Sequence, residues 1–478
     1  MEGDQGGGKM IIFRIYYKSI TFEYFIKTDK MRFLYLLLYF TLPYSLRLYY
    51  PKQRILNQPR KHFGRTIYVS NHSASFMDPL IVGSLLRPIV FFMTRSDVFK
   101  KVLQPILWMA HMLPIYRQHD GDDTKTKNED TFKRCTQILK GKRNLLIFGE
   151  GFTDDVFIRR LKPVKKGAAR IGFGSLEAMN WEKEVFIASI GINYSDPNYL
   201  GGSVLVSNGN PICLNDYKTV YQENPSRAVN DVTKRIELDL QAQITHVENA
   251  DWVFFHEHVS RLQRNGMHPE DPIRNISLLQ KWENSKALAA WMNSQNLDEN
   301  KELVALKSEL ESFFKKTKNQ KIKDSYLRKI KEKESNLLPW ISLILLFPFM
   351  LLGTLHCYLP YKLIKNFAEK SFKRRVFWSS VKMMLGAIAI GLFNIPLVLL
   401  LNNFVFVQLF FDLKMINLFI PWIYYFTVPI FGVIAYRWFQ TAQDLIAVAK
   451  LRKVANLSSL LEERNGLIGK IDVLVKKV

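Results

Sequence analysis

A histidine and an aspartate stand six residues apart in Asn71-His72-Ser73-Ala74-Ser75-Phe76-Met77-Asp78, directly after the strand-like run Thr66-Ile67-Tyr68-Val69-Ser70. A histidine titrates near neutral pH, so His72 can take a proton from an alcohol. A carboxylate on the other ring nitrogen fixes the tautomer and stabilises the imidazolium that forms. We read the pair as a general base with its orienting acid. The plainer alternative is a strand-end histidine beside a capping carboxylate, and the choice depends on what else converges there.

Three further blocks carry chemistry. In Leu145-Leu146-Ile147-Phe148-Gly149-Glu150-Gly151-Phe152-Thr153-Asp154-Asp155 a strand runs into a glycine-flanked carboxylate. Glu150 can accept hydrogen bonds from a polyol, and Gly151 permits a tight turn and close backbone approach. In Lys162-Pro163-Val164-Lys165-Lys166-Gly167-Ala168-Ala169-Arg170 cations open a small-residue helix, which suits an anion. In Met112-Leu113-Pro114-Ile115-Tyr116-Arg117 an apolar run ends on an arginine able to grip a phosphate bidentately. Each block alone has an ordinary structural reading: a strand-to-turn Glu-Gly, a solvated basic face, a surface ion pair.

The elements that must position these residues follow from the pattern of the whole chain. Its 478 residues suffice for two or three domains, and 48% hydrophobic composition supplies a large core or membrane segments. Between about 61 and 246, β-type runs (Thr66 to Ser70, Ile89 to Phe92, Asn144 to Phe148, Val185 to Ile190, Ser203 to Ser207) alternate with helix-like stretches. That alternation predicts an α/β sheet domain, and the near-continuous apolar runs predict strands covered on both faces. The blocks at Asn71, Glu150 and Asn193 all follow such runs, where an open α/β sheet presents its crevice.

Around this domain the composition shifts. Residues 1–60 are aromatic and basic; Phe33 to Leu42 is too short to cross about 30 Å of hydrocarbon before Pro43, so an interfacial helix is expected, with a buried N-terminal helix as the alternative. Residues 247–336 form a helical, basic connector. Its His256-Glu257-His258 does not place both imidazoles on one helix face, so no metal is expected there. Residues 337–440 hold three apolar stretches, Leu337 to Leu359, Val376 to Leu401 and Met415 to Tyr436, each long enough to cross a bilayer. Basic residues flank the first on both sides, which conflicts with a simple crossing. We expect a re-entrant hairpin over 337–360 bent at Pro348, spans at about 376–401 and 415–437, and a basic tail over 441–478. The sheet domain and the tail then share the cytosolic side.

A net charge of +24 and a pI near 9.7 predict an anionic partner. Nucleic acid is disfavoured, because the densest basic run, Lys315 to Lys333, adjoins an apolar segment and no recognition motif accompanies it. Phospholipid headgroups fit better. Cys135, Cys213 and Cys357 form no CxxC pair, so neither a disulfide framework nor a thiolate zinc site is signalled, and no secretory signal peptide is recognised at Met1 to Gly8. HExxH, GxSxG and Walker A sequences are absent. Three apolar stretches without a visible repeat are meagre for a transporter.

The order of the blocks, Asn-His with a following Asp, Pro-Ile-x-Arg, Phe-x-Glu-Gly with following lysines, then Ile187-Ala188-Ser189-Ile190-Gly191-Ile192-Asn193-Tyr194, resembles the glycerolipid acyltransferase family. The likeness covers roughly Lys61 to Asp216. It implies a membrane-associated enzyme that moves a fatty acyl group from acyl-CoA or acyl carrier protein, as co-substrate, to a hydroxyl of a glycerol-phosphate acceptor, with no bound cofactor or metal. His72 and Asp78 would be catalytic; Arg117, Glu150, Gly151 and Lys165 would match the acceptor and phosphate sites. Most members place four residues between the His and the Asp, whereas Ser73 to Met77 makes five. The longer gap and Asn208-Gly209-Asn210-Pro211-Ile212 are similar to the branch acylating glycerol-3-phosphate or dihydroxyacetone phosphate, as is the stretch after Glu-Gly, although Gly149 and Phe152 depart from the usual residues. Lysophosphatidate is the alternative acceptor. A non-catalytic lipid-binding scaffold is the alternative of another class.

Overall fold

Strands too apolar to leave a face in water must be covered on both sides, and β2 (Thr66–Ser70) is buried at every residue. With β1 (Lys52–Leu56), β3 (Val90–Arg95), β4 (Met112–Ile115), β5 (Asn144–Phe148), β6 (Phe186–Tyr194), β7 (Ser203–Asn208) and β8 (Ile212–Cys213) it forms one sheet in the order β1-β7-β6-β2-β5-β3-β4, with β8 paired to β6. The set β6, β2, β5, β3, β4 is parallel. Beyond it, β7 pairs antiparallel with β6, and β1 pairs parallel with β7. The computed structural model describes residues 33–58, 64–86, 90–99, 104–116, 124–270, 275–406, 408 and 414–475.

Alternate residues along each strand supply two cores. On one face Ile67, Val69, Leu145, Ile147 and Ile187 pack with residues of α4 (Thr124–Lys140), α5 (Gly167–Glu177) and α7 (Pro225–Gln243). On the other, Tyr68, Leu146, Ala188, Ile190 and Val206 pack beneath α1 (Phe33–Tyr49) and α2 (Met77–Ile81). Short helices α3 (Gln104–Met109) and α6 (Lys218–Glu223) complete this part. A third core gathers α8 (Val253–Gln263), α9 (Leu278–Asn293), α10 (Lys301–Asn319), α11 (Asp324–Lys331) and α15 (Leu457–Leu474). Three long apolar helices, α12 (Leu337–Ser371), α13 (Trp378–Leu401) and α14 (Lys414–Leu451), lie between α11 and α15 in sequence; helices over Leu337–Ser371, Arg375–Phe404 and Phe419–Leu451 are long and apolar enough to cross a membrane.

Several sequence expectations meet a different arrangement. Within the segment 1–60, read as helical from its composition, Lys52–Leu56 is an edge strand, its charges facing solvent where they discourage pairing with other chains. Helix α1 continues through Pro43 and buries Tyr35 and Leu46 against the sheet, while Leu37, Phe40 and Tyr44 stay exposed; residues 1–32, where the interfacial reading also falls, lie outside the described ones. Helix α12 runs unbroken through Pro348, with no hairpin there. About a turn earlier, Trp438 on α14 donates from Nε1 to the Leu343 carbonyl at 2.8 Å, and Gly353 brings the α14 backbone against α12, so close packing carries the helix past the proline. The tail expected over 441–478 is not detached. Val448, Leu451, Leu460, Leu467 and Ile471 complete the connector core.

Candidate active site

Register brings the first two blocks together. Ser70 of β2 is level with Phe148 of β5 and Ile190 of β6, so residues 72 and 150 emerge side by side at the carboxyl ends of β2 and β5, level with Ile192 of the longer β6. The ladder continues by side chain. Asn71 donates from Nδ2 to the Ile192 carbonyl at 3.0 Å and accepts from the Ile192 N–H at 2.8 Å, standing in for another backbone rung. The His72 N–H donates to Glu150 Oε1 at 2.6 Å, closing the gap to β5.

His72 and Asp78 meet. Nδ1 of the ring lies 3.0 Å from Asp78 Oδ2; the carboxylate is fully buried and the imidazole about one-fifth exposed. The turn between them carries the left-handed residue Ser75, at φ 52°, after which Met77 and Asp78 donate backbone hydrogen bonds to Ala74 and Ser75. That tight reversal takes up the five intervening residues and brings Asp78, in the first turn of α2, back to the ring. Asp78 is held by two more donors: the Ala74 N–H reaches Oδ2 at 2.9 Å and the Tyr194 hydroxyl reaches Oδ1 at 2.8 Å. A buried carboxylate accepting several hydrogen bonds is fixed in place, and it fixes its partner. The His72 ring also stacks on Phe148, with centroids 4.2 Å apart. Among the described residues, nothing bonds its Nε2.

Glu150 is bonded within the chain. Its Oε1 accepts from His72 N–H and its Oε2 from Lys162 N–H, the latter at 3.2 Å, so both oxygens are engaged by backbone donors. Burial pushes its carboxyl above the ordinary range, and those two N–H groups pull against the shift. Gly151 takes φ +77°, the left-handed region a side chain resists, and its missing Cβ faces the Lys165 side chain. Lys165 is exposed beside this turn, and its N–H donates to the Gly149 carbonyl at 2.8 Å. Lys162 is occupied otherwise: its ammonium sits 2.6 Å from Asp154 and 3.6 Å from the Phe152 ring centroid. Arg117 lies outside the described residues. Its block is described as far as Tyr116, whose N–H and carbonyl are both held by the Asn128 side chain, at 3.0 and 2.8 Å. This is the device Asn71 uses on β6, repeated at the end of β4.

Two residues without a role in the sequence reading stand beside the site. Tyr194 sits in the Ile187 to Tyr194 block, but only the sheet register shows that its hydroxyl meets Asp78. Arg374 follows α12 by three residues and clasps the turn after Gly151, donating to the Asp155 carboxylate and the Thr153 carbonyl; Phe377 packs on Phe76 with centroids 5.3 Å apart. Beneath, buried Arg159 donates to the Tyr194 and Ser195 carbonyls and pairs with Glu257 at 3.1 Å, while His256 bonds the Ser285 carbonyl, which gives the His-Glu-His run a packing role.

Residues 53–175, from β1 into α5, match the family model described as Acyltransferase. They hold His72, Asp78, Glu150, Gly151 and Lys165, and the mixed sheet with its flanking helices has the acyltransferase fold. Among solved structures the chain is similar to the 1-acyl-sn-glycerophosphate (LPA) acyltransferase PlsC from Thermotoga maritima, with 15% identity and a TM-score of 0.31, over 48% of this chain and 90% of that one. No curated protein matches it.

Proposed function

We propose that this chain is a membrane-bound acyltransferase of phospholipid biosynthesis, moving a fatty acyl group from acyl-CoA or acyl carrier protein to a hydroxyl of glycerol-3-phosphate or dihydroxyacetone phosphate. The observation that carries the reading is the state of the imidazole: Nδ1 tied to buried Asp78 at 3.0 Å, Nε2 unbonded among the described residues. In that tautomer Nε2 is the acceptor. It removes the hydroxyl proton as the oxygen attacks the thioester carbonyl carbon. The tetrahedral species then collapses, the C–S bond breaks, and the imidazolium returns the proton to the departing thiolate. A thioester is already activated, so positioning and deprotonation of the alcohol are the main demands on the protein.

Lys165, exposed beside Gly151, and Arg117 are the cations we assign to the acceptor phosphate. Glu150 acts on the reading through His72, whose backbone it holds. The three apolar helices support a membrane protein, and we place the catalytic domain on the cytosolic side. Lysophosphatidate is the alternative acceptor, because the acyltransferase match over 53–175 leaves the acceptor open. The test is turnover by the pure full-length chain with labelled acyl-CoA and, separately, acyl carrier protein thioester. The acceptor panel is glycerol-3-phosphate, dihydroxyacetone phosphate and lysophosphatidate. Acylation of either of the first two supports the reading. Acylation of lysophosphatidate alone transfers it to the alternative, and no turnover with any acceptor leaves the scaffold.

A further inference from the structure

Helix α12 has 35 residues, which at about 1.5 Å per residue is roughly 52 Å, well beyond the ~30 Å of a bilayer's hydrocarbon. Were it to cross, its ends would stand on opposite sides of the membrane. Both ends are tied to the same soluble body. At the carboxyl end, Arg374 clasps Asp155 and Thr153, and Phe377 packs on Phe76, all beside the candidate active site. At the amino end, α12 joins α14 through the Trp438 bond to Leu343. A turn or so further along, Asp444 of α14 accepts from Lys323 Nζ at 3.0 Å and from the Tyr326 hydroxyl at 2.6 Å, both in the connector segment. From Leu343 to Ser371 is about 40 Å of helix at that rise.

The two anchor points belong to one packed unit. Ile158, which follows Asp154 and Asp155 in the active-site loop, packs on the connector core, and Arg159 binds Glu257 of α8. Between the anchors, the Tyr44 hydroxyl of α1 donates to the Phe426 carbonyl at 2.5 Å, and Met383 of α13 joins the core beneath α1. The three helices therefore run along the flank of the catalytic body.

Their outer side is apolar. Leu337, Ile344, Leu351, Leu355, Leu359 and Leu363 form an exposed stripe along α12, and over residues 337–349, where Leu343 is the one buried residue, the apolar exposure extends round most of the helix. The inner face carries Leu343, Met350, Gly353, His356, Cys357 and Pro360. Exposed cations stand at both ends of the stripe, Lys370 and Lys373 at one and Lys450, Arg452 and Lys453 at the other, placed to meet anionic headgroups.

We propose that α12, α13 and α14 form a platform lying in one leaflet of a phospholipid bilayer, with the α12–α13 turn on the same side as the active site. The platform sets the site at the surface where a lipid product departs, and Arg374 fastens its turn to the catalytic loop. The arrangement replaces both a hairpin at Pro348 and a helix that crosses. The placement of the helices rests on packing, so its test is independent of catalysis, and the role given to the platform rests on the acyltransferase reading.

The experiment uses the full chain reconstituted in sealed vesicles of phosphatidylcholine and phosphatidylglycerol, with the catalytic domain outward. Lys373→Cys and Lys450→Cys are each placed in a background where Cys135, Cys213 and Cys357 are Ala. Both variants are expected to react with a membrane-impermeant maleimide before permeabilisation. Reaction of Lys373→Cys only after permeabilisation, with Lys450→Cys already labelled, overturns the proposal. A second measurement in the same background attaches spin labels at Ile344, Leu351, Leu355 and Leu363 and reads their depth. Similar depth at all four supports the platform; labels deepest at Leu351 and Leu355 and shallow at the two ends contradict it.

Discussion

Asp78→Asn separates the two things a carboxylate can do for an imidazole. In the native chain Asp78 accepts from His72 Nδ1, from the Ala74 N–H and from the Tyr194 hydroxyl, and it is fully buried. The Ala74 N–H is a fixed backbone donor, so an asparagine must turn its carbonyl oxygen to the Oδ2 position and its amide to Tyr194. The Tyr194 hydroxyl can rotate to accept. The tautomer of His72 is thereby kept while the negative charge is lost. Opposite charges 3.0 Å apart attract by about 5 kcal/mol at an effective dielectric near 20. Only the part that develops in the transition state affects the rate, and general-base assistance as a whole contributes about 10²- to 10⁴-fold. We therefore expect kcat to fall by about 10²- to 10³-fold with the acceptor KM little changed. Steady-state kinetics of the purified variant across pH, beside its thermal unfolding curve, provides the assay. Wild-type kcat in the folded variant would refute the orienting-acid argument.

Tyr194→Phe removes one charge-assisted hydrogen bond from Asp78 and should lower kcat by about tenfold, consistent with the ~1.5–3 kcal/mol such bonds contribute. The loss comes from a carboxylate held less firmly against the ring, and steady-state kinetics of the folded variant reads it. Gly353→Ala drives a methyl into the Phe431 carbonyl and should destabilise the apolar bundle by about 1–3 kcal/mol in detergent, whereas Gly386→Ala, with nothing within 4 Å, should leave the unfolding curve unchanged. Burial pushes His256 down to about 4 from an ordinary 6.5, aided by neighbouring Arg159. Its folded form resists protonation, so stability is intact above pH 6.5 and is lost as pH falls toward 4. At pH 5 the loss is about 2 kcal/mol from this residue. His256→Gln should flatten the fall in unfolding temperature between pH 7 and 5; an unchanged slope sinks that assignment.

The parallel strands were legible because covered strands are written as unbroken apolar runs: Thr66–Ser70 and Asn144–Phe148 stand where the sequence places them. His72 beside Asp78 was legible too, from a chemical pairing at a strand end. The edge strand Lys52–Leu56 was not, since a charged strand with half-buried residues has neither a helical nor a continuous apolar period. The bonding of Glu150 escaped because the motif shows a carboxylate and not the two backbone N–H groups that occupy it. Tyr194 and Arg374 act across 116 and about 220 residues of chain, and only sheet register and helix packing bring them to the site. Pro348 was misleading for a related reason: a proline ends a lone helix, while a helix packed as closely as α12 against α14 continues through it.

If the His72 ring removes the acceptor's proton, His72→Ala in the purified full-length chain is the most direct test. The ring is partly exposed and packs on Phe148 without supporting the core, so the variant should unfold at close to the native temperature. Acyl transfer from thioester to glycerol phosphate should fall by at least about 10²-fold. A folded His72→Ala protein that turns over at the native rate would contradict the base assignment.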